Sequence, residues 1–315
     1  QAKPEIIFEN QMNMRKTECA LCCTQSDYTI LYAENLPTSG ISSVEYDSRR
    51  MRDYMHFQIV KCKTCNLVRS DPIIDPELID NLYEQSDCSY TTEKENEPLA
   101  RTYGRYLENI VNSYDVNRSS YLDIGCSNGF MIEKAIEMGF SNARGIEPSL
   151  AAIEHASDKI KARIIPGMFD SSKFENETFD LISFFQTFDH IPNPNDFLQD
   201  CLKILKKDGI IIAMNHNIGS ISHRILKERS PIIDIGHAYL FDLDTIRKIF
   251  QKNQFDVLQV FSVKNTVSFG RLLHLAPINE KTKTKLQKIF NKLNISSLTI
   301  PLYLGNLGII AKKSC

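Results

Sequence analysis

The second half of the chain alternates between short apolar runs and amphipathic segments. From residue 119 onwards, strand-like runs such as "SSYLDIGC", "FDLISFFQ" and "GIIIAMN" are separated by helical patterns such as "FMIEKAIEMGF" and "NDFLQDCLKILKK". Strands that alternate with helices of about 10–15 residues predict a mostly parallel, doubly wound α/β sheet. The runs "LISFF" and "IIIAM" are almost entirely apolar, which is typical of strands covered on both faces.

The pattern divides the chain into three parts. Residues 1–70 hold most of the cysteines and the strand-like "YMHFQIVKC", which predicts a small ribbon-like domain. Residues 71–118 are polar and acidic and then become helical in "EPLARTYGRYLENIVNSY", which predicts a connector or lid. Residues 119–315 form the predicted sheet domain. The basic stretch "NEKTKTKLQKIFNKL" predicts a helical insertion at about 270–295 before a last strand, "LYLGNLGIIAKK".

Composition limits the partners of the chain. Its 315 residues contain 37 Lys plus Arg and 39 Asp plus Glu, so the formal net charge is −2. This balance gives no global attraction to nucleic acid or to an anionic membrane. No apolar run approaches the roughly 20 residues of a membrane span. The start, "QAKPEIIFEN", lacks a secretory pattern, so we expect a cytoplasmic location.

The stretch "YLDIGCSNGF" at positions 121–130 predicts a strand that ends in a glycine turn. Gly125 and Gly129, with Cys126 between them, would let a ligand approach the backbone. The dinucleotide fingerprint G-x-G-x-x-G fails here, because Ser127 and Phe130 occupy the positions of its later glycines. A ligand other than a dinucleotide is therefore predicted at this turn.

Two carboxylates define that ligand further. Asp123 precedes the turn, where it would repel a pyrophosphate and attract a cationic amino-acid group. Glu147 ends the second strand of the domain, where an acidic residue can accept both hydroxyls of an adenosine ribose. A ligand with a cationic amine, an adenosine ribose and no phosphate is S-adenosylmethionine.

Four segments in order over residues 119–265 resemble the motifs of class I S-adenosylmethionine-dependent methyltransferases. They are "YLDIGCSNG", "GIEPS", "FDLISFFQTFDHIPNP" and "LKKDGIIIAMNHN". The resemblance implies a Rossmann-like, doubly wound, seven-stranded sheet. It also implies a cofactor site made of Asp123, Gly125, Cys126, Gly129, Glu147, Pro148, Met168, Phe169, Phe185 and Gln186. Tyr90 and Tyr103 are candidates to close over the cofactor from the connector, and one of Phe184 and Phe185 must face the core because strand side chains alternate.

Two C-x-x-C pairs in the N-terminal part predict a structural zinc site. Cys19, Cys22, Cys62 and Cys65 supply the four thiolates that tetrahedral Zn²⁺ takes. The pairs are further apart than the roughly 15–20 residues of common zinc ribbons. Cys23 is an alternative ligand to Cys22, and four unmetallated buried thiols are an alternative to the metal. Disulfides are disfavoured without a secretory signal.

The resemblance becomes narrower when the N-terminal part is included. The segments "CKTCNLVRSDP", "LYEQSDCSY" and "YLGNLGIIAKK" resemble methyltransferases of sugar and polysaccharide pathways. Relatives that methylate carbon in nucleotide-linked deoxysugars carry a segment like Y-H-E-H-x-x-Y-F-S, and "DIGHAYLFD" is its equivalent here. His237 matches the second His, but Gly236 replaces Glu and Asp234 replaces Tyr. Carbon, oxygen or nitrogen methylation therefore stays open.

An acceptor hydroxyl needs a base, and histidine suits this role near neutral pH. His237, His216 and His190 all follow strands at the predicted carboxyl edge. We rank His237 first because of the resemblance, His216 second and His190 third. A structural role is the alternative for each, and His190 in particular could orient the "IPNP" turn.

Three functions compete at this point. The first is a methyltransferase that acts on a small sugar-like acceptor, such as a nucleotide sugar or a surface-polysaccharide precursor. The second is an RNA methyltransferase whose zinc ribbon binds nucleic acid through "RRMRDYMHFQIVKCK"; the net charge and the acidic 75–97 stretch disfavour it. The third is a binding module without catalysis, which intact Asp123 and Glu147 disfavour. The sequence does not predict an oligomeric state.

Overall fold

The computed structural model describes residues 13–37, 40–46, 53–86, 93–275, 279–293, 295–296 and 298–314. Tyr90, one of the predicted cofactor contacts, lies outside the described residues. In chain order the strands are β1 Met14–Arg15, β2 Tyr28–Tyr32, β3 Ile59–Cys62, β4 Val68–Ser70, β5 Ile73–Ile74, β6 Ser120–Ile124, β7 Asn142–Glu147, β8 Ile164–Pro166, β9 Phe179–Phe185, β10 Leu205–His216, β11 Tyr239–Leu240, β12 Phe255–Ser268 and β13 Thr299–Lys313. The α-helices are α1 Pro76–Glu84, α2 Glu93–Ser113, α3 Phe130–Glu137, α4 Leu150–Glu154, α5 Asp158–Lys161, α6 Pro194–Ile204, α7 Ile221–Leu226, α8 Leu243–Lys252, α9 Phe269–Leu275 and α10 Glu280–Lys292.

The main sheet has seven strands in the order β12-β13-β10-β9-β6-β7-β8. Strands β10, β9, β6, β7 and β8 run parallel to one another, and β13 pairs antiparallel with both β10 and β12. This is a Rossmann-like, doubly wound arrangement of seven strands, so the predicted fold class is confirmed. Strand order reverses next to β6, because the chain leaves β8 and returns on the other side of β6 as β9. Ligands of such sheets bind at this switch point, beyond the carboxyl ends of the strands.

Apolar side chains cover both faces of the sheet. Phe184 belongs to the core on the side of α6 and α8, together with Leu122. Phe185 packs on the opposite side with Tyr121 and residues of α2 and α3. The alternation within β9 therefore gives one core phenylalanine and one half-buried phenylalanine at the edge.

A smaller four-stranded sheet has the order β11-β4-β3-β2. Three of its strands come from the N-terminal part, but β11 comes from the segment that follows His237. The Oγ of Ser70 donates a hydrogen bond of 2.7 Å to the His237 carbonyl oxygen, which fixes this connection. The N-terminal strands therefore hold one of the candidate base segments in place.

The segment 150–160 differs from the sequence pattern, which predicts one helix there. The structure has two short helices, α4 and α5. Ser149 caps α4 through its side chain, and Ser157 adopts extended backbone angles and begins α5. Serine competes for backbone hydrogen bonds inside helices, which explains the interruption.

Candidate active site

The glycine turn after β6 is shaped by its own packing. Gly125 and Gly129 have φ values of 73° and 79°, which favour glycine. A Cβ atom on Gly125 would lie 2.5 Å from the Thr187 Oγ1, and one on Gly129 would lie 2.3 Å from the Ile160 Cγ2. Space for a ligand was the expected reason for these glycines. The structure instead shows protein side chains where their Cβ atoms would lie.

Cys126 contributes backbone rather than a thiol to this turn. Its side chain is buried, and a Cβ on Gly145 would lie 2.5 Å from the Cys126 Sγ. Burial raises the pKa of the Cys126 thiol well above its usual value. The Cys126 side chain therefore packs against the neighbouring strand as a neutral group.

The two predicted carboxylates lie at adjacent strand ends, and both are buried. Glu147 accepts hydrogen bonds from the Ser127 N–H at 2.7 Å and the Ser149 N–H at 3.0 Å, so it links two turns. Asp123 accepts a hydrogen bond of 2.6 Å from the Ser183 Oγ. Each carboxylate has about four acceptor positions, so both keep capacity for further donors.

Burial shifts both carboxyls towards their neutral forms. Burial, reinforced by the nearby Glu147, raises the pKa of Asp123 to about 7. Burial also raises the pKa of Glu147, although the N–H groups of Ser149 and Ser127 counteract it. A cation that approaches this pair would favour the ionised forms, because an opposite charge stabilises a carboxylate.

An aromatic stack and an unpaired amide lie at the end of β9. The rings of Phe185 and Tyr103 are stacked with centroids 4.4 Å apart. Gln186 follows with a φ of 56°, and both polar atoms of its side chain are buried without a hydrogen-bond partner. Strained backbone and unpaired buried polar groups are both enriched where proteins contact ligands.

The remaining predicted cofactor contacts are half-buried residues around β7 and β8. Pro148 directly follows Glu147, and Met168 follows β8. Phe169 packs against Phe174 and Phe197, with ring centroids 6.4 Å and 5.2 Å away. The structure thus places these residues near the same sheet edge, and Phe169 partly serves the core.

The three candidate histidines surround one buried carboxylate, Asp189. The His216 Nδ1 lies 2.6 Å from the Asp189 Oδ2. The His237 Nε2 lies 3.8 Å from the Asp189 Oδ2, and the His190 Nε2 lies 3.9 Å from the Asp189 Oδ1. Burial would raise the pKa of Asp189, but the facing histidines outweigh it and hold the pKa below its usual value.

The surroundings of the three histidines differ. The His237 side chain is 5% exposed, and its Nδ1 hydrogen-bonds the Ile232 carbonyl at 2.9 Å. The His190 Nδ1 lies 2.9 Å from the Gly236 carbonyl oxygen and 2.7 Å from the Tyr83 hydroxyl. The His216 side chain is 25% exposed. Burial lowers the pKa of both His190 and His237.

Asp189, His216 and His237 also have the residue types of a metal site. Their possible ligand atoms lie within 4.8 Å of one another. However, two ligand atoms that bind one ion at about 2.0–2.2 Å are about 3 Å or more apart. The 2.6 Å between His216 and Asp189 is instead a hydrogen-bond distance. A histidine whose Nδ1–H is held by a carboxylate keeps Nε2 free to accept a proton.

Comparison with known proteins identifies the family. A family model described as a methyltransferase domain matches residues 93–260, which is just over half of the chain. The chain belongs to this methyltransferase family. Its seven-stranded sheet agrees with this family and with the class I fold that the sequence motifs predict.

Curated relatives of this methyltransferase include ubiquinone biosynthesis O-methyltransferases. The one from Neisseria meningitidis is 26% identical over 129 residues, or 38% of this chain and 54% of the relative. The one from Aliivibrio fischeri is 25% identical over 155 residues, or 47% of this chain and 66% of the relative. The chain thus spans between half and two thirds of the length of these relatives.

Solved structures with a similar fold include two S-adenosylmethionine-dependent methyltransferases. The protein from Archaeoglobus fulgidus has a TM-score of 0.46 at 19% identity, and the match covers 70% of this chain and 97% of that chain. The protein from Clostridium acetobutylicum has a TM-score of 0.45 at 11% identity, and the match covers 69% of this chain and 92% of that chain.

In the described part of the methyltransferase, no helix combines the length and apolar character needed to cross a membrane.

The two C-x-x-C pairs of the methyltransferase meet in space. The sulfur atoms of Cys19, Cys22, Cys62 and Cys65 lie within 4.8 Å of one another, and those of Cys19 and Cys65 are 3.4 Å apart. Four thiolates at 2.3 Å from a tetrahedral ion would be about 3.8 Å apart, so the four fit Zn²⁺. Cys23, the alternative ligand, is exposed and lies 3.4 Å from the Lys252 Nζ.

Both cysteine pairs have the same backbone conformation. The N–H of Cys23 bonds the Cys19 carbonyl at 2.8 Å, and the N–H of Asn66 bonds the Cys62 carbonyl at 3.0 Å. Cys23 and Asn66 also share a left-handed conformation, with φ values of 56° and 65°. Such matching turns aim two thiols of each pair at a common centre.

Sequence reasoning missed several residues of the candidate site, among them Asp189, Ser183 and Tyr83. Asp189 lies within the "FDHIP" motif, and that position was the only signal of its role. Ser183 holds Asp123 from the neighbouring strand β9. Tyr83 reaches His190 from α1, 107 positions away in the sequence. No sequence pattern indicates contacts of such separation.

Proposed function

We propose that this methyltransferase transfers the methyl group of S-adenosylmethionine to a hydroxyl oxygen of a small polyhydroxylated acceptor. A nucleotide sugar or a precursor of a surface polysaccharide is the acceptor class that we favour. The single observation that carries the reaction type is the hydrogen bond between the His216 Nδ1 and the Asp189 Oδ2 at the carboxyl edge of the sheet. O-methylation agrees with the names of the curated relatives.

The cofactor end of the proposed site consists of the residues around the glycine turn. S-adenosylmethionine supplies a methyl group on a sulfonium, which is already activated for transfer. Asp123 would hold the cationic amino group, and Glu147 would accept the ribose hydroxyls with its remaining acceptor positions. The stacked pair of Phe185 and Tyr103 offers an aromatic face to the sulfonium, worth about 0.5–2 kcal/mol. Gln186 would pair its free amide atoms with the bound ligand.

His216 is the proposed proton acceptor. Asp189 accepts from the His216 Nδ1–H, which leaves Nε2 as the basic atom and stabilises the ring when it gains a proton. His216 is also more exposed than His237. His237 stood first by resemblance, but its burial and its bond to the Ile232 carbonyl fit a residue that holds Asp189 in place.

Two amide side chains support a hydroxyl-rich acceptor. Asn306 of β13 is the paired residue of His216 in β10, and paired residues of antiparallel strands project from the same face. The Asn306 Nδ2 donates a hydrogen bond of 3.2 Å to the Asn265 Oδ1, and the Asn265 Nδ2 is buried without a partner. A buried unpaired donor is costly, so an acceptor with several oxygen atoms suits this surface best.

The N-terminal part has a proposed structural role. We infer that Zn²⁺ bound by Cys19, Cys22, Cys62 and Cys65 holds the small sheet together, since the four thiols leave no open position for a substrate. Residues 1–70 would form this zinc-binding unit, 71–118 the helical connector and 119–315 the catalytic domain. The matched turns of the two cysteine pairs support the metal. The pairing of β11 with β4 supports a joint role of these units.

A second acceptor class follows from the relatives. Their name concerns ubiquinone biosynthesis, so a phenolic ring precursor of a quinone is the alternative acceptor. Such a ring offers one or two hydroxyl groups and a large apolar surface. With a phenolic ring bound, the side-chain amides of Asn265 and Asn306 would find few oxygen atoms to pair with.

The experiment measures transfer of a labelled methyl group to nucleotide sugars, polysaccharide precursors, quinone-related phenols and RNA. Label in a sugar supports the proposal, whereas label in a phenol or in RNA alone contradicts the acceptor class.

With the acceptor found, His216→Asn and Asp189→Asn should each lower turnover by about 10²–10⁴-fold while cofactor affinity stays unchanged. His155→Asn is the matched control, because this histidine is exposed and far along the chain from the cluster.

Full activity of His216→Asn would remove His216 as the base. If His237→Asn instead lost turnover without loss of stability, the base would be His237. Rescue of turnover at raised pH in His216→Asn would distinguish proton transfer from a structural role, because hydroxide can then replace the missing base.

A further inference from the structure

Helix α10 presents a face of lysines and large aliphatic side chains to solvent. This lysine face consists of Lys285, Lys288, Ile289, Lys292 and Leu293, which recur at helical spacing along one side of the helix and its C-cap. The three lysines are exposed, and the exposed fractions of Ile289 and Leu293 are 42% and 61%. Neither the proposed cofactor site nor the acceptor site uses these residues.

The opposite face of α10 packs against the protein. The Phe290 ring lies 6.5 Å from the Phe269 ring of α9, and the Gln287 side chain donates to the Ser296 Oγ. The helix is therefore oriented by internal contacts. The aliphatic side chains on its outer side are left in water, although their burial would be favourable.

The segment that begins at Lys281 carries basic but no acidic side chains. From Lys281 to Cys315 the sequence contains no Asp or Glu. Among the described residues, Lys285, Lys288 and Lys292 have no carboxylate within ion-pair distance. The basic groups are thus free to meet negative charge outside the chain.

We propose that the lysine face docks on an anionic lipid bilayer. Lysines that alternate with aliphatic residues on one helix face match an interface that is apolar inside and negatively charged at its surface. A second copy of this chain fits less well, because a two-fold contact would bring the same lysines together. RNA fits less well too, since Ile289 and Leu293 provide no stacking surface for bases.

The location of the face agrees with this role. Leu298, between α10 and β13, is also exposed, so the aliphatic surface continues past the helix. A basic amphipathic helix of this kind lies in the plane of the bilayer surface, so the contact would be a reversible attachment. The enzyme would then work beside the bilayer, near acceptors that are attached to or assembled on it.

The test uses the full chain and vesicle flotation. Vesicles of phosphatidylcholine alone are compared with vesicles that contain about 30% phosphatidylglycerol, at low and at high salt. We expect binding to the anionic vesicles only, and weaker binding at high salt. Lys285→Glu with Lys288→Glu should lower the partition coefficient at least tenfold. The apolar change Ile289→Asn with Leu293→Asn should lower it as well.

The matched control is Lys159→Glu with Leu258→Asn, which changes an exposed lysine and an exposed leucine elsewhere. It should bind vesicles like the unaltered chain. Cofactor affinity and the melting temperature confirm that each variant is folded. Absence of binding by the unaltered chain, or equal binding by all variants, would overturn the proposal. Vesicle-free dimerisation or RNA binding that the lysine changes abolish, without any vesicle binding, would overturn it too.

Discussion

The affinity for S-adenosylmethionine should rise with pH, because the Asp123 carboxyl has a pKa near neutrality in the free protein. Burial, reinforced by Glu147, raises this pKa to about 7. At about pH 6 roughly a tenth of the Asp123 carboxyls are ionised, and at about pH 7.5 roughly three quarters are. If the cationic amino group binds only the ionised form, the association constant rises about eightfold, or about 1.3 kcal/mol.

Stability should follow the same linkage. The pKa of the Asp123 carboxyl is raised on folding, so the folded chain keeps a proton that the unfolded chain releases. The free energy of unfolding therefore falls as the pH rises from the usual pKa of an aspartate to about 7. A bound cation offsets this cost. The increase in melting temperature that saturating cofactor produces should therefore be larger at about pH 7.5 than at about pH 6.

Isothermal titration calorimetry at both pH values measures the effect, with Asp123→Asn as the decisive variant. Asparagine does not ionise, so its affinity should be at least about tenfold lower at the higher pH and independent of pH. Asp256→Asn, which changes an exposed carboxyl, should keep the slope of the unaltered chain. The pKa of Glu147 is also raised. An unchanged slope in Asp123→Asn would therefore refute the assignment to Asp123.

Two further predictions concern the metal and the core. Cys65→Ser should remove one equivalent of zinc and lower the melting temperature, while Cys23→Ser should change neither. Elemental analysis measures the zinc content, and an equal content in both variants would contradict the assigned ligands. Phe184→Ala should lower the free energy of unfolding by about 3–5 kcal/mol, because its ring is fully buried. Phe185→Ala should cost less stability and weaken cofactor binding more, as urea unfolding and calorimetry can show; the reverse order would contradict their placement.

Local patterns were sufficient to predict the sheet. The central strands β9 and β10 contain short apolar runs, and helical patterns separate them from their neighbours along the chain, so periodicity predicts the layers. The same logic placed Asp123 and Glu147 at neighbouring strand ends. The break between α4 and α5 was missed, because a single serine start signal within a helical pattern is weak.

The acceptor side of the site could not be predicted in this way. Asn265 and Asn306 meet only because β12 and β13 pair over a long antiparallel register. The different burial of His216 and His237 depends on how the segment around β11 joins the N-terminal sheet. Sequence spacing carries no information about such contacts, whereas the described structure brings them together.

A crystal structure with bound S-adenosylhomocysteine tests the proposed cofactor site most directly. We expect the ribose hydroxyls to contact Glu147, the amino group to contact Asp123, and the sulfur to lie on the same side as His216. Density for the ligand elsewhere, or with its ribose away from Glu147, would contradict the proposed site.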